Sequence, residues 1–184
     1  MAVFINDDRE QIKPDSTSVL IVEDDRDFAS VLSGIAHDKN YLFLAAGDGK
    51  TAIQLAQYYQ PSAILLDLGL PDIDGLKLLE MFKQDLNTRH IPVHVITGRE
   101  VLGETLTLGA VGFLHKPTSA EELENVFTIF NRYLTNKDKS ILIIEDDATY
   151  RHSLKGLLEH KDVHITEAIN GEEGIKLIGE RDFD

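Results

Sequence analysis

Short apolar runs alternate with amphipathic segments along most of the chain, and both have the lengths of secondary-structure elements. In the amphipathic segments apolar residues recur with i, i+3, i+4, i+7 spacing, which is typical of helices with one buried face. Runs that are apolar along their whole length indicate strands of a parallel sheet covered on both sides. The pattern therefore predicts an α/β domain of five βα units. The predicted strands are residues 18–22, 41–45, 62–66, 93–96 and 111–114, and the buried helix positions include Phe28, Val31, Leu32 and Ile35, Ala52, Leu55, Ala56 and Tyr59, and Leu123, Val126, Phe127 and Phe130.

The pattern also divides the chain into segments. Residues 1–17 are polar and mostly unpatterned, so they are predicted to be a lead or linker. The five βα units fill residues 18–134. The charged stretch 135–139 is predicted to be a second linker, and strand and helix patterns start again in 140–184.

The last segment repeats the beginning of the first domain. When the sequence is shifted by 122 residues, the stretch 20–25, LIVEDD, falls on LIIEDD at 142–147. Glycines at 34 and 49 meet glycines at 156 and 171 without a gap. Unrelated βα segments share apolar positions, but not a Glu-Asp-Asp triplet together with two glycines. We therefore expect 140–184 to be the N-terminal part of a second, incomplete copy, whose open strand edge favours self-association.

Composition excludes several classes of partner. The formal net charge is −14, from 18 Lys and Arg against 32 Asp and Glu, so neither nucleic acid nor an anionic membrane is an expected partner. Cysteine is absent, which excludes disulfides, thiol catalysis and cysteine-based zinc sites. We find no apolar run of membrane-spanning length and no signal-peptide pattern, so a cytoplasmic location is expected.

Acidic residues follow two of the predicted strands. Asp24 and Asp25 follow the first strand, and Asp67 follows the third. Ligands of open parallel sheets bind beyond the carboxyl ends of the strands, and clustered carboxylates repel each other unless a cation lies between them. Mg²⁺, which prefers oxygen ligands, is the expected ion. An alternative is that the acids at 24 and 25 only stabilise the start of the following helix.

Two further strand ends complete a set of groups with one chemistry. The fourth strand ends at Thr97, which offers a hydroxyl donor, and the fifth ends at Lys116, which offers an ammonium. A metal site, an aspartate nucleophile, a hydroxyl and an ammonium are the groups that an aspartyl phosphorylation site needs. The combination predicts phosphorylation of Asp67.

Four motifs make residues 18–134 similar to the receiver domain of bacterial response regulators. They are VEDD at 22–25, LLDLGLPDIDG at 65–75, VIT at 95–97 and FLHKP at 113–117. The resemblance implies a doubly wound, flavodoxin-like parallel sheet of order 2-1-3-4-5. It also implies that a histidine kinase or a histidine phosphotransfer protein donates the phosphoryl group.

The resemblance assigns a role to each site residue. Asp67 would be the phosphoacceptor, and Thr97 and Lys116 would hold the phosphoryl group. Phe113 would be the aromatic switch residue, although a core residue of the fifth strand fits the same position. Mg²⁺ would be bound directly by Asp25 and through water by Asp24, with the remaining ligands from Asp67 and the Gly69 carbonyl; Asp146 and Asp147 are the acidic pair of the second copy.

The stretches 88–97 and 108–117 look like tandem receivers at the end of hybrid sensor histidine kinases. The chain itself is expected to be a signalling module and not an enzyme, with any kinase activity in sequence outside it. A stand-alone tandem response regulator and an unphosphorylated receiver scaffold are the alternatives. A phosphatase of the haloacid dehalogenase type is disfavoured, because Gly69 stands where that class has a second acid.

The sequence also supports predictions for three histidines and for the length of the fourth helix. His152 lies in RHSLKG, which resembles a histidine phosphotransfer motif, but its context after a strand predicts an ordinary surface residue. His90 and His94 flank a proline and are predicted to be structural. The short spacing between Thr97 and Lys116 predicts a short fourth helix.

Overall fold

The computed structural model of the chain separates into two compact units, one that runs to Tyr133 and one that begins at Leu134. The structure describes residues 4–98, 102–135, 139–159, 163–181 and 183.

The first unit contains a parallel sheet of five strands. The strand order is β2-β1-β3-β4-β5, which confirms the predicted order. Each strand begins and ends within one residue of its predicted position; β1, β3 and β4 are buried along their whole length, whereas β5 is only half-buried. The strands are β1 (Ser18–Val22), β2 (Leu42–Ala46), β3 (Ala63–Leu66), β4 (Val93–Thr97) and β5 (Gly112–His115).

Helices cover both faces of this sheet. Along β1, Leu20 packs into one apolar layer with α2 and α3, and Ile21 packs into the opposite layer with α1 and α5. Successive side chains of a strand point to opposite faces, so a strand buried on both sides is apolar throughout. This alternation explains the continuous apolar runs in the sequence. The helices are α1 (Arg26–Asp38), α2 (Gly49–Tyr59), α3 (Gly75–Gln84), α4 (Leu102–Thr107) and α5 (Ala120–Thr135).

Two expectations about helices are settled by the structure. The described part of α4 has six residues, in agreement with the prediction of a short fourth helix. In α1 the expectation for Val31 is wrong, because its side chain is 54% exposed. The buried stripe of α1 is formed by Ala29, Leu32 and Ala36, and Val31 lies on the flank of that stripe.

The segment before β1 is not only a lead or linker. Phe4 and Ile5 pack against the apolar layer that contains α1, and Ile12 packs against the layer that contains α2. Asp8 is buried and donates its backbone N–H to the Phe43 carbonyl at 3.0 Å. The expectation for residues 1–17 is therefore corrected over their described part, 4–17. Its contacts are with β2, which is distant in sequence, so no local pattern announces them.

The second unit contains two βα repeats. Its strands pair in parallel, with Ile144 opposite Ala168, as Val22 is opposite Ala46 in the first unit. The predicted linker 135–139 begins on the last residue of α5 and ends on the first of β6; Asn136 to Asp138 lie outside the described residues. Among the described helices, none combines the length and the hydropathy needed to cross a bilayer. The elements are β6 (Lys139–Ile144), α6 (Ala148–Leu158), β7 (Val163–Ala168) and α7 (Gly171–Glu180).

Candidate functional site

Three carboxylates meet at the carboxyl ends of two neighbouring strands. Glu23 and Asp24 follow β1, Asp67 follows β3, and these strands are hydrogen-bonded neighbours in the sheet. One carboxylate oxygen from each of the three residues lies within 4.8 Å of the others. Glu23 and Asp67 are buried, whereas Asp24 is exposed. An all-oxygen donor set with one side open to solvent fits a hard divalent cation that retains water ligands.

Asp25 is not part of this cluster. Its Oδ1 accepts hydrogen bonds from the backbone N–H groups of Asp27 at 2.9 Å and Phe28 at 3.1 Å, which makes Asp25 the N-cap of α1. The expectation of a direct metal ligand at Asp25 is therefore not met by the geometry. Sequence reasoning missed Glu23 instead. The signal for it was present, since the acid directly before a helix is most simply its cap.

Lys116 binds both buried carboxylates. Its Nζ donates to Glu23 Oε2 at 2.7 Å and to Asp67 Oδ2 at 3.0 Å. The ammonium also lies over the Phe28 ring, 4.5 Å from the centroid. The backbone N–H of Lys116 donates to the Thr97 carbonyl at 2.9 Å, which fixes the end of β5 beside the end of β4. The structure thus brings together Asp67 and Lys116, as predicted.

The charges of the cluster influence one another. Burial raises the pKa of Glu23 to about 7, and the negative charge of Asp67 adds to this effect, while the hydrogen bond and charge of Lys116 oppose it. For Lys116, burial lowers the pKa, but the hydrogen bonds and charges of Glu23 and Asp67 outweigh burial and raise it. One ammonium is thus held between two buried carboxylates. An additional cation at the cluster would relieve the remaining repulsion.

Thr97 and Phe113 lie on the two strands beyond Asp67. Thr97 is buried at the carboxyl end of β4 and pairs with His115 of β5. Phe113 lies opposite Val95 and is half-buried against the layer that contains α2 and α3. Thr97 therefore lies at the same end of the sheet as Asp67, and Phe113 lies within β5, three residues before Lys116.

The loop between β3 and α3 is held by its own polar groups. Asp67 Oδ1 accepts the backbone N–H of Gly69 at 3.2 Å, and Asp74 caps α3. Asp72 reaches outside the loop and accepts the N–H groups of Gly49 and Lys50, at the start of α2.

Gly75 is required where this loop ends. A Cβ added to Gly75 would lie 2.3 Å from the Leu68 Cα, closer than real Cβ contacts come. The close approach seats the start of α3 against the residue that follows Asp67, so the turn residues position the loop that carries the candidate nucleophile.

The other predicted residues lie outside this cluster. Asp147 caps α6 by accepting the Tyr150 N–H at 2.8 Å, as Asp25 caps α1, and Asp146 precedes it in the same turn. Within the described parts of the chain, the only acid or histidine group with metal-ligand spacing is Glu23, Asp24 and Asp67. His90 and His152 are exposed.

His94 is buried in β4. Its ring meets the Phe130 ring edge to face, with the centroids 6.3 Å apart. Burial lowers the pKa of His94 to about 4, and the contact of Nδ1 with the Val95 carbonyl only partly opposes this. The histidine therefore serves packing as a neutral core residue, in agreement with its predicted structural role.

Comparison with known proteins agrees with this geometry. Residues 19–128 match the response regulator receiver domain. The chain is 32% identical over 136 residues to a probable cyclic di-GMP phosphodiesterase of Vibrio cholerae serotype O1, with 71% of this chain and 30% of that protein covered. It is 36% identical over 112 residues to histidine kinase P4 of Formosa agariphila, with 59% of this chain and 8% of that protein covered. The chain thus spans less than a third of either relative.

A solved structure of a receiver domain is also similar to this chain. The receiver domain of sensor histidine kinase PA1611 from Pseudomonas aeruginosa PAO1 was determined with a magnesium ion coordinated in its active-site cleft. It is 25% identical to this chain, with a TM-score of 0.57, and the match covers 65% of this chain and 98% of that domain.

Proposed function

Since this chain belongs to the response regulator receiver domain family, we propose that its first unit is the phosphoacceptor module of a two-component phosphorelay. The module takes a phosphoryl group from a phosphohistidine onto Asp67. One observation carries the proposal: the buried Asp67 carboxylate lies 3.0 Å from the Lys116 ammonium and shares a three-carboxylate cluster with Glu23 and Asp24.

The residues supply the parts of a phosphoryl transfer. An oxygen of Asp67 attacks the phosphorus, the new O–P bond forms as the N–P bond of the phosphohistidine breaks, and the imidazole leaves. Negative charge on the transferred group is then stabilised by the Lys116 ammonium, which is already in place beside the nucleophile. The Thr97 hydroxyl is proposed as a second donor to the phosphoryl oxygens. Its burial at the end of β4, next to Lys116, supports that role.

The cofactor in this proposal is Mg²⁺. Asp24 and Asp67 would hold it, together with Glu23, directly or through water, and with the Gly69 carbonyl. When bound, the ion neutralises the cluster and the incoming phosphoryl oxygens. Asp24 replaces Asp25 as the direct ligand, because the Asp25 carboxylate is occupied by the N–H groups of α1.

Phosphorylation is proposed to alter a protein-interaction surface through Phe113. The half-buried position of its ring supports a switch role, because a side chain that turns between two states needs room in both. We assign no output surface to the fourth helix, because its described part, Leu102–Thr107, has only six residues. Phosphoryl donors would be a histidine kinase or a histidine phosphotransfer protein.

The parent protein is proposed to be a hybrid sensor histidine kinase with tandem receivers, of which the second unit is the beginning of the second. Similarity to histidine kinase P4 and to the PA1611 receiver supports this assignment. The shared strand register of the two units supports the tandem arrangement. A stand-alone tandem response regulator is the alternative. A receiver scaffold that is never phosphorylated would show no phosphoryl incorporation.

The test is phosphoryl incorporation into the full chain, measured by intact-protein mass spectrometry with Mg²⁺ and a small acyl phosphate. Wild type should gain one phosphoryl group, and chelation of Mg²⁺ should prevent it. Asp67→Asn should abolish incorporation, because no other carboxylate can replace the nucleophile. Asp38→Asn, which removes an exposed acid of α1, is the matched control and should behave as wild type. Persistent labelling of Asp67→Asn would overturn the assignment.

A further inference from the structure

The strand β2 lies at one edge of the five-stranded sheet. Its Leu42 N–H donates inward, to the Thr17 carbonyl at the start of β1, so the N–H groups of Phe43 and Ala45 point outward. An edge strand with unpaired N–H and C=O groups is a template for pairing with another chain. The outward groups of β2 therefore need an occupant if the domain is to stay unpaired at this edge.

Two consecutive aspartates occupy these groups. The Phe43 N–H donates to Asp8 Oδ2 at 2.9 Å, and the Ala45 N–H donates to Asp7 Oδ2 at 3.1 Å. In return the Asp8 N–H donates to the Phe43 carbonyl at 3.0 Å. The side-chain carboxylates thus take the place that the carbonyls of a neighbouring strand would have.

The buried carboxylates are themselves compensated. The Arg9 guanidinium grips Asp7 with two hydrogen bonds, each 2.7 Å long, and the Asp7 side chain is only 1% exposed. The Asp8 Oδ2 lies 2.7 Å from His37 Nε2, in α1. Removing one partner of such a hydrogen bond or ion pair destabilises the fold, because a buried charge or N–H is left without its partner.

Apolar anchors hold the segment at both ends of the edge. Phe4 lies so close to the chain after β2 that a Cβ on Gly47 would be 2.4 Å from its ring. The Arg26 guanidinium lies 5.2 Å from the centroid of the same ring. At the other end Ile12 packs against the opposite apolar layer. The segment therefore runs antiparallel to β2 and is seated on both faces of the sheet.

We propose that residues 4–12 are an edge strap, an intramolecular occupant of β2 that prevents this strand from pairing with a second copy of the chain. The strap is part of the receiver fold of this protein, although it lies before the segment that matches the family, which begins at residue 19. The inference is independent of the phosphorylation chemistry, since none of its contacts involves Asp67 or Lys116.

The test compares two double variants of the full chain. Asp7→Ala with Asp8→Ala removes both carboxylates that bind β2. Glu10→Ala with Asp15→Ala removes the same charge from exposed positions of the same region. By NMR hydrogen exchange, the Phe43 and Ala45 amides should be protected in wild type and in the control, and should exchange at least about tenfold faster in the strap variant.

The oligomeric state is measured on the same proteins by sedimentation velocity. The strap variant should associate with rising concentration to a greater extent than the control, which carries the same second unit. Equal amide protection and equal association in the two variants would overturn the proposal. Wild-type protection that increases with protein concentration would also overturn it, in favour of segments exchanged between copies.

A single thiol tests the strap without removing its aspartates. The chain has no cysteine, so Phe4→Cys and Asp15→Cys each introduce one reactive group. The thiol at position 4 should react with a thiol reagent at least about tenfold more slowly than the exposed thiol at position 15. Because Phe4→Cys removes one anchor, equal rates together with unprotected Phe43 and Ala45 amides in wild type would show that the strap is not docked.

Discussion

The two units have the same local geometry in their first two βα repeats, but they differ in the strands that lie beside those repeats. In both, a parallel strand pair has the same register, and the glutamate after the first strand donates its N–H to the alanine that ends the second, from Glu23 to Ala46 and from Glu145 to Ala168. In both, the last acid of the Glu-Asp-Asp triplet caps the next helix. The triplet therefore specifies a turn and a helix start wherever it occurs.

Only the first unit places this turn beside other strand ends. Val22 is 1% exposed, because β1 lies between β2 and β3, whereas its counterpart Ile144 is 47% exposed. Asp67 and Lys116 belong to β3 and β5, and the described second unit contains β6 and β7 alone. The acidic turn alone therefore does not form the carboxylate cluster, because the candidate nucleophile Asp67 and the cation Lys116 come from later strands.

The largest expected effect is a difference in the rate of phosphoryl transfer between variants of two lysines. Lys116→Ala should lower the rate of phosphoryl transfer to Asp67 by roughly 10²–10³-fold, because the transferring charge loses a positioned cation. Lys155, which donates to Glu167 at 2.6 Å in the second unit, is the matched residue, and Lys155→Ala should leave the rate unchanged. Rates are measured with a small acyl phosphate. Similar losses in both variants would mean that the effect is not local to the site.

The next contrast separates the three acids of the first turn. Asp24→Asn should lower the affinity for Mg²⁺ by at least about tenfold, whereas Asp146→Asn in the second unit should leave it unchanged. Asp25→Asn should have a smaller effect than Asp24→Asn, since asparagine also caps helices well. Metal affinity is measured by isothermal titration calorimetry. A larger loss in Asp25→Asn would restore Asp25 as the direct ligand.

A buried and an exposed histidine give a pH contrast. The pKa of His94 is lowered by burial to about 4, below its ordinary value of 6.5. The unfolded chain therefore binds the proton first, and the contribution of His94 to stability should fall as pH drops from 6.5 toward 4, by up to about 3 kcal/mol.

Urea unfolding of the first unit across this pH range measures the slope. His94→Gln should flatten it, even if the variant is less stable at every pH. His164→Gln, at an exposed position of β7, should keep the wild-type slope. An unchanged slope in His94→Gln would assign the pH dependence to another group.

The smallest contrast concerns resistance to proteolysis. The second unit exposes large apolar side chains, including Leu157, Ile175 and Ile178, and pairs only two strands among its described residues. A core of this size is marginal by itself. Limited proteolysis followed by mass spectrometry should cleave residues 139–181 at least about tenfold faster than 18–134, which a tenfold larger open population would cause. Equal resistance would contradict the interpretation as an incomplete receiver.

The features that could be predicted are those that follow from the local periodicity of apolar residues. The strands β1 to β5 could be placed within one residue because each coincides with a short apolar run. Three strand ends gave Asp67, Thr97 and Lys116. Periodicity alone does not decide which acids of Glu-Asp-Asp bind a metal; the signal was instead the position of Asp25 directly before α1, which makes it the cap. Neighbouring carboxylates are chemically alike, and a shift of one position decides whether Asp25 binds a metal or caps a helix.

The strap could not be predicted because its contacts are distant in sequence. Asp8 and Phe43 are 35 positions apart, and Asp7 with Asp8 follows neither a helical nor a strand period. Polar residues that bind an edge strand resemble a linker in the sequence. Only the fold shows that β2 has outward N–H groups that need these carboxylates.

The bridge from Asp72 to the first residues of α2 restrains the loop after Asp67 on one side only. On that side, the loop after Asp67 and the start of α2 are joined through the N–H groups of Gly49 and Lys50, so the two move together. On the other side stand the ends of β4 and β5 and the short α4. In the proposed function, a displacement at Asp67 is therefore expected to reach Phe113 on β5 more readily than a change in the position of α2.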